Sequence, residues 1–295
     1  MSKMGGRRPG ASRLFRRGAW EIRMSKDHHR EPSRTDDGET KDIAPVLNGW
    51  DYEAGAINVR KITGLDGREK LQMRLDLGLL QMELIGRPDG HRPHGRESYL
   101  AYFEERLSDY RRTHGGSDGF VLEGDHCQHL REEAVMYYHR YLSLFILGDY
   151  PGVIRDTARN LRVLDLCGQY ATDDHDRFIL EQYRPYIIMM NTRATAQLLF
   201  KDGLYQKALH TVTDGLDRIR EFFVRFGQQS AFDKSNEVKI LKRFAREIRR
   251  KLPIDPLDKL SSKLARAVKR EDYEEAARLR DEINVRRRER EGSGA

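Results

Sequence analysis

The alternation of apolar and polar residues predicts a small β-element over residues 46–92. "INVRKI" (57–62) and "KLQMRLDL" (70–77) alternate apolar with polar positions on either side of the turn signal "GLDG" (64–67). A period of two is typical of half-buried strands, and a DG turn between two such runs predicts a hairpin. "LLQMELIGRPDG" (79–90) adds either a third strand or a helical turn, followed by a tight turn. The core of this element is expected to contain the alternating residues Leu71, Met73, Leu75 and Leu77.

From residue 97 to residue 252 the apolar residues recur every three or four positions, which predicts a domain of amphipathic helices. Two segments have the order helix, short turn, helix, and their turns are Gly148-Asp149-Tyr150 and Gly203-Leu204-Tyr205. The helix between these two segments is expected over roughly residues 174–201. A last amphipathic helix is expected over residues 233–252.

The two turns resemble the mid-repeat G-x-Y-x-x-A signature of tetratricopeptide repeats. Val153 and Ala208 stand at the alanine position of that signature. The turns lie 55 residues apart, whereas the repeat has a period of about 34 residues. The resemblance implies a TPR-like array of helical hairpins with a concave surface for a partner. A plain helical bundle explains the same pattern equally well.

Residues 255–290 have the pattern of an antiparallel helical hairpin. Asp255 and Pro256 are typical of a helix start, and Asp272 with Glu275 three residues later predicts a second start with a capping box. The apolar stripe of the first helix consists of Leu257, Leu260, Leu264 and Val268, and the inner side of the second of Tyr273, Ala276, Ala277, Leu279, Arg280 and Ile283. Two helices of this length bury too little surface to be stable alone. The hairpin is therefore expected to dock on its own domain, on a second copy or on a partner.

This hairpin resembles the UVR motif, also called the UvrB/UvrC motif. The stretch "LDKLSSKLARAVKREDYEEAARLRDEI" (257–283) contains the spaced leucines, the basic-to-acidic connection, the aromatic residue and the E-x-A-A-x-L-R-D-x-I pattern of that family. The matching residues of the second helix are Tyr273, Glu275, Ala276, Ala277, Leu279, Arg280, Asp281 and Ile283. The resemblance covers about a tenth of the chain, and the remainder departs from the known UVR proteins.

The resemblance implies an antiparallel hairpin that pairs with another UVR hairpin. In the family it joins the excision-repair subunits UvrB and UvrC, and related hairpins occur in Clp-type unfoldase ATPases and in the activator of protein arginine kinase. This chain has no Gly-Lys pair and hence no P-loop, the UvrC nuclease pattern is not recognisable, and the CxxC zinc sites of the kinase activator are missing. Only the docking module therefore carries over from the family.

The resulting expectation is a non-catalytic adaptor that docks another UVR-containing protein or a second copy of itself. A context like nucleotide excision repair comes first, and a regulatory role in proteostasis is the alternative. Arg280 and Asp281 are expected to set the register by charge pairing. The expected partner-binding residues are Leu257, Leu260, Leu264, Tyr273, Ala276, Ala277, Leu279, Arg280, Asp281 and Ile283.

The charge of the chain is concentrated at its N-terminus. The 295 residues are 34% charged and 38% hydrophobic, which is typical of a charge-rich helical protein. Residues 1–34 contain ten Lys and Arg against three acidic residues, which accounts for the whole net charge of +7. Residues 1–45 are polar and lack periodicity, so a disordered basic tail is expected. This tail offers a further alternative, association with nucleic acid through residues 1–34, but a neutral remainder argues against DNA binding inferred from overall charge.

Few residues suggest chemistry. Cys127 and Cys167 lie far apart in sequence, and "DHCQH" (125–129) lacks a second pair of metal ligands, so both features are expected to be structural. The acidic cluster at residues 173–176 is expected to cap helices. No catalytic residue, metal, cofactor or membrane contact is expected. A basic N-terminus without an apolar signal core favours a cytoplasmic protein, with Met24 as an alternative start.

Overall fold

The computed structural model describes residues 42–252 and 256–292 of the chain. These residues form a small antiparallel sheet, a body of helical hairpins and a C-terminal helical hairpin. In chain order the elements are α1 (Ala44–Leu47), β1 (Val59–Thr63), β2 (Glu69–Leu75), β3 (Gly78–Glu83), α2 (Tyr99–His114), α3 (Gly124–Ile146), α4 (Tyr150–Tyr170), α5 (Asp174–Phe178), α6 (Arg184–Lys201), α7 (Tyr205–Arg225), α8 (Asn236–Arg249), α9 (Pro256–Lys269) and α10 (Tyr273–Gly292).

The sheet confirms the predicted β-element and shows that its third part is a strand. The strand order is β1-β2-β3, with Val59 opposite Met73 in the first pair and Met73 opposite Leu80 in the second. Leu71, Met73 and Met82 are buried and join the core of the helical body. The strand β2 therefore packs on the helices through one face, as its period-two pattern predicted.

Leu75 and Leu77 correct the predicted core of this element. Leu77 is 89% exposed and Leu75 is 37% exposed. The reason is that β2 ends at Leu75 and residues 76–77 form the two-residue turn into β3. An alternating pattern buries a side chain only as far as the strand continues, so the last leucine of the run lies at the loop tip.

The predicted helical hairpins are present in the body. The turn between α3 and α4 contains Gly148 at a φ of 75°, and the turn between α6 and α7 contains Gly203 at a φ of 74°. This left-handed conformation is open to glycine at little steric cost, which explains the residue at both turns. Val153 and Ala208, at equal offsets after the turns, are both fully buried.

The long helix expected over residues 174–201 is divided. Residues 174–178 form α5, residues 181–183 form a 3-10 turn, and α6 begins at Arg184. Pro185 lies in the first turn of α6, where its missing N–H costs nothing, whereas further inside a helix it would interrupt the hydrogen-bond ladder. The proline therefore determines where α6 begins.

A buried ion pair connects the sheet with the helical body. Arg140 of α3 and Asp156 of α4 are almost inaccessible, and the guanidinium donates to both carboxylate oxygens at 2.7 and 2.9 Å. The remaining nitrogen of Arg140 donates to the carbonyl oxygens of Glu83 and Gly86, at the end of β3, at 3.0 and 2.7 Å. One side chain thus holds α3, α4 and the sheet together, with every charge paired.

A second buried carboxylate, that of Glu133 in α3, binds the N-terminus of α2. It accepts hydrogen bonds from the backbone amides of Tyr99 and Leu100 at 2.8 and 3.2 Å, and it contacts the guanidinium groups of Arg87 and Arg159. The amides at a helix N-terminus lack partners within the helix, so a carboxylate there satisfies them and interacts favourably with the helix dipole.

The described ranges include almost none of the predicted N-terminal tail. Apart from residues 42–45, the predicted tail over residues 1–45 lies outside them, as does Asp255 at the expected start of α9. None of the helices in the described ranges has both the length and the hydropathy that a membrane crossing requires.

Candidate docking hairpin

The C-terminal hairpin is formed by α9 and α10, joined by a connection at residues 270–272. The amide of Asp272 donates to the carbonyl of Ala267 and that of Glu271 to Val268, which is the bonding pattern of a Schellman motif. Glu271 occupies the left-handed position of this motif with a φ of 59°. A glycine is usual there, so this glutamate carries a conformational cost of about 1 kcal/mol.

Asp272 begins α10, as the capping pattern predicted. Its carboxylate accepts a hydrogen bond from the amide of Glu275 at 3.1 Å. In a full capping box the Glu275 side chain would also accept from the amide of Asp272. Here that amide donates instead to the carbonyl of Ala267 at the end of α9. The connection thus ends one helix and begins the next within three residues.

The hairpin has a small hydrophobic core of its own. This cluster shares no residue with the large core of the sheet and body. Its buried members are Leu260, Ala267, Ala276, Leu279 and Ile283, with Leu257 and Leu264 packed against them. Four of the ten expected partner-binding residues are therefore buried inside the hairpin, and two more lie half-buried beside them.

The other four expected partner-binding residues, Tyr273, Ala277, Arg280 and Asp281, are exposed on α10. The prediction that Tyr273, Ala277 and Arg280 lie on the inner side of this helix is therefore wrong, because Ala276, Leu279 and Ile283 form the side that packs on α9. Tyr273 is 71% exposed. Its spacing to Ala277 and Arg280 is i, i+4 and i+7, so the three side chains share one side of the helix. Arg280 contacts the carboxylate of its neighbour Asp281 at 3.3 Å.

Val268 corrects the predicted stripe of α9. It is 52% exposed, whereas Ala267 is buried. The positions 260, 264 and 267 have the spacing i, i+4 and i+7, so the stripe ends on Ala267 and Val268 falls beside it. That spacing was present in the sequence, but a small residue gave a weaker signal than the valine next to it. We refer to Val268, Tyr273, Ala277 and Arg280 as the Tyr273 face.

The residues of "DHCQH" have structural roles within α3. His126 accepts a hydrogen bond from the amide of Glu123 at 3.2 Å as part of a capping box, and burial together with the nearby Arg106 lowers the pKa of His126. The His129 ring stacks on Tyr99 with 4.5 Å between the ring centroids. Cys127 is buried beside Cys167, and both are free thiols.

The acidic cluster at residues 173–176 lies at the start of α5. Asp173 caps the helix by accepting from the amide of His175 at 2.7 Å, and Asp176 pairs with Arg131 of α3. Over residues 42–252 and 256–292, no three His, Cys, Asp or Glu side chains come together in a way that could hold a metal ion. The predicted capping role is therefore confirmed for Asp173, whereas Asp176 is engaged in an ion pair.

A shallow cleft of about 300 Å³ lies between α2 and α4. Its charged lining groups already have partners. Arg162 forms a two-pronged pair with Glu104, and Arg111 donates to the Tyr170 hydroxyl at 2.9 Å. The charged side chains of this cleft are therefore engaged with other side chains of the protein, as on an ordinary protein surface.

Comparison with known proteins identifies the hairpin. Residues 255–288 match the family model described as the UvrB/uvrC motif, which confirms the resemblance. Neither the curated proteins nor the solved structures contain a match to this chain. The fold and the match together describe a mostly helical protein with a UVR hairpin at its C-terminal end.

Proposed function

We propose that this protein is a non-catalytic adaptor that docks a partner protein through its UVR hairpin. The observation that carries the proposal is the UVR match at residues 255–288, on a hairpin whose Tyr273 face remains uncovered. The proposal concerns binding alone, because the residues that suggested chemistry are engaged in caps, ring stacking and ion pairs.

The Tyr273 face has the composition of a docking surface. Tyrosine and arginine are enriched among the residues that dominate binding energy, and a tyrosine supplies a large contact area with few rotatable bonds. The small side chain of Ala277, which lies between Tyr273 and Arg280 on this face, lets a second helix approach closely. The exposed pair Arg280 and Asp281 can exchange its internal contact for contacts across the interface, which would fix the register.

The leading partner class is another UVR-containing protein or a second copy of this chain, in a context like nucleotide excision repair. This class follows from the matched motif, whose regular use in the family is to pair with a like hairpin. An adaptor role in proteostasis is the alternative context. Two free, buried thiols are compatible with the reducing cytoplasm that we propose as its location. Residues 1–34 remain a predicted nucleic-acid contact outside the described ranges.

The docking surface is tested by adding charge to it. Val268→Glu with Ala277→Glu introduces two carboxylates on the Tyr273 face, and glutamate is a good helix former, so the hairpin should still fold. Affinity purification from the native host, with mass spectrometry, should recover a partner with the full-length protein. The variant should lose at least tenfold of that partner, because desolvating two unpaired carboxylates opposes association. A chain ending at residue 252 should lose it entirely.

The matched control is Ser262→Glu with Val285→Glu. Both positions are exposed, and helical spacing places them off the Tyr273 face on α9 and α10. The control should retain the partner within about twofold of the wild type. Equal loss in both variants, or an unchanged partner list after removal of the hairpin, would contradict the proposed docking surface. The identity of the partner separates the repair context from the proteostasis context.

A further inference from the structure

Two consecutive helices carry the same pattern of positive charge. Each helix, together with the residue that directly follows it, has four basic residues at the spacing i, i+4, i+7 and i+11, and the second set follows the first by 20 residues. We call these sets the α8 stripe and the α9 stripe. The α8 stripe consists of Lys239, Arg243, Arg246 and Arg250, and the α9 stripe of Lys259, Lys263, Arg266 and Arg270. At 3.6 residues per turn, each set lies along one side of its helix.

All eight side chains are exposed. Among the residues that the structure describes, none of the eight forms an ion pair with a carboxylate. Within the stripes, Arg270 donates a hydrogen bond to the backbone carbonyl of Arg266. Some basic groups elsewhere are paired with carboxylates, as Arg162 is with Glu104 and Arg278 with Glu274. The stripes therefore present a dense row of positive charges that carboxylates of the described residues do not neutralise.

The surrounding sequence concentrates this charge further. Residues 236–270 contain twelve Lys and Arg against four Asp and Glu. Because residues 35–295 as a whole are neutral, the rest of that region is acidic by the same amount. A neutral total thus conceals a strongly basic segment, and a strong local field attracts a polyanion even when the average charge does not.

We propose that the α8 and α9 stripes bind the phosphate backbone of a nucleic-acid duplex without reading its sequence. Eleven residues of helix extend about 16 Å, so four cations lie roughly 5–6 Å apart along each stripe. One strand of a duplex presents a phosphate every 3.4 Å or so of helix axis, and each stripe therefore spans about five phosphates. Lys and Arg offer donors only, which suits phosphate oxygens.

The composition of the stripes distinguishes this ligand from a membrane. A membrane-bound amphipathic helix inserts its apolar face. The apolar face of α8 is buried in the body through Val238, Leu241, Phe244 and Ile248. That of α9 is packed against α10. Because both apolar faces are covered, α8 and α9 can attract a membrane by charge but cannot insert into it.

The stripes also differ from surfaces that bind proteins or single strands. The centre of a protein interface is depleted of lysine and enriched in aromatic residues. Single-stranded nucleic acid is held mainly by stacking on aromatic rings. Neither stripe contains an aromatic residue, and the one aromatic residue of α8, Phe244, is buried. A regular duplex backbone is the partner that cations alone can satisfy. This inference does not depend on the proposed docking of the UVR hairpin.

The test uses the full-length protein and a fluorescent duplex DNA of about 25 random base pairs. Fluorescence anisotropy should show binding that weakens steeply with salt. Changing the four residues of the α8 stripe to glutamine should weaken binding at least tenfold at low salt, and changing those of the α9 stripe should do the same. The slope of log affinity against log salt should become shallower by about 0.9 for each phosphate that the variant no longer neutralises. Circular dichroism checks that the helices remain intact.

The matched control removes four positive charges from other exposed positions. Its substitutions to glutamine are at Arg92, Lys207, Arg218 and Arg225. This control should bind DNA within about twofold of the wild type, and a variant with Lys and Arg exchanged within the stripes should also bind. Several results would overturn the proposal: no duplex binding by the wild type, full binding after both stripes are neutralised, equal loss in the control, or stronger binding to anionic lipid vesicles or polyglutamate than to duplex DNA. Full binding by the neutralised variant would point to the N-terminal tail instead.

Discussion

At the scale of single residues, the most consequential contact is that of Arg140 with Asp156. Both are fully buried, and the Arg140 guanidinium is shared between a carboxylate and the carbonyl oxygens of Glu83, the last residue of β3, and of Gly86. A buried pair of this kind is weak evidence of net stabilisation, because removing both charges from water is costly. Its role is instead to fix one arrangement of α3, α4 and the sheet, since the one guanidinium contacts acceptors on α4 and on the sheet at the same time.

Removing the acid of this pair should destabilise the protein strongly. Asp156→Ala leaves the Arg140 charge buried without its carboxylate, so we expect a loss of about 3–5 kcal/mol in the free energy of unfolding, measured by urea denaturation. Glu104→Ala breaks the pair of Glu104 with Arg162, which is far more accessible, and should cost less than about 1 kcal/mol. Similar losses in the free energy of unfolding of the two variants would contradict the larger contribution that we assign to the buried pair.

At the scale of elements, α6 and α7 approach closely where Gly215 meets Thr192. A Cβ atom at position 215 would lie 2.5 Å from Cγ2 of Thr192 and 2.9 Å from its Cβ. Thr192 is buried, so it has little room to move away. The glycine lies in the middle of a helix, where it is unfavourable on its own, and the close packing of two helices is the reason it is tolerated.

Gly215→Ala should therefore destabilise the protein although alanine is the better helix former. Overpacking costs about 1–3 kcal/mol, and the gain in helix propensity offsets up to about 1 kcal/mol of it. Thr192→Ala in the same chain should recover part of the loss, because it removes the Oγ1 and Cγ2 atoms but leaves the Cβ.

The control for this substitution is Gly168→Ala in α4. The nearest atom to a new Cβ there is Oε1 of Glu181 at 3.7 Å. This change should leave the thermal unfolding midpoint unchanged or raise it. A midpoint raised equally by Gly215→Ala would contradict the close approach of α6 and α7.

Much of this fold was predictable because its signals are local. Caps, turns and periodicity extend over a few residues, so the sheet, the hairpins of the body and the UVR hairpin followed from the sequence. The ion pair of Arg140 with Asp156 did not, because its partners lie 16 residues apart and look like ordinary surface residues of amphipathic helices. The Tyr273 face was predicted only in part. Which of two neighbours, Ala267 or Val268, turns inward depends on the packing of α10, which no local pattern contains.

At the scale of the whole molecule, the two hydrophobic clusters differ greatly in size. One extends from the sheet through α8, whereas the cluster of the hairpin contains five buried residues, two of them alanines. Burial of apolar surface is the main stabilising contribution to folding, at about 25 cal/mol per Å². The hairpin is therefore held by far less apolar burial than the body, and we expect a docked partner to add to its stability.

This difference predicts two levels of protection against native-state hydrogen exchange. In the full-length protein, amides in the middle of α9 and α10 should exchange at least tenfold faster than those of α6, because a small cluster opens at a lower free energy than the large core. Leu279→Ala should remove the remaining protection of the hairpin and leave that of α6 unchanged. A bound partner should slow exchange in α9 and α10 alone, since it stabilises only the state in which the hairpin is formed. Equal protection of α6 and α10 without a partner would show that hairpin and body unfold as one unit, and the hairpin would then not need a partner for its stability.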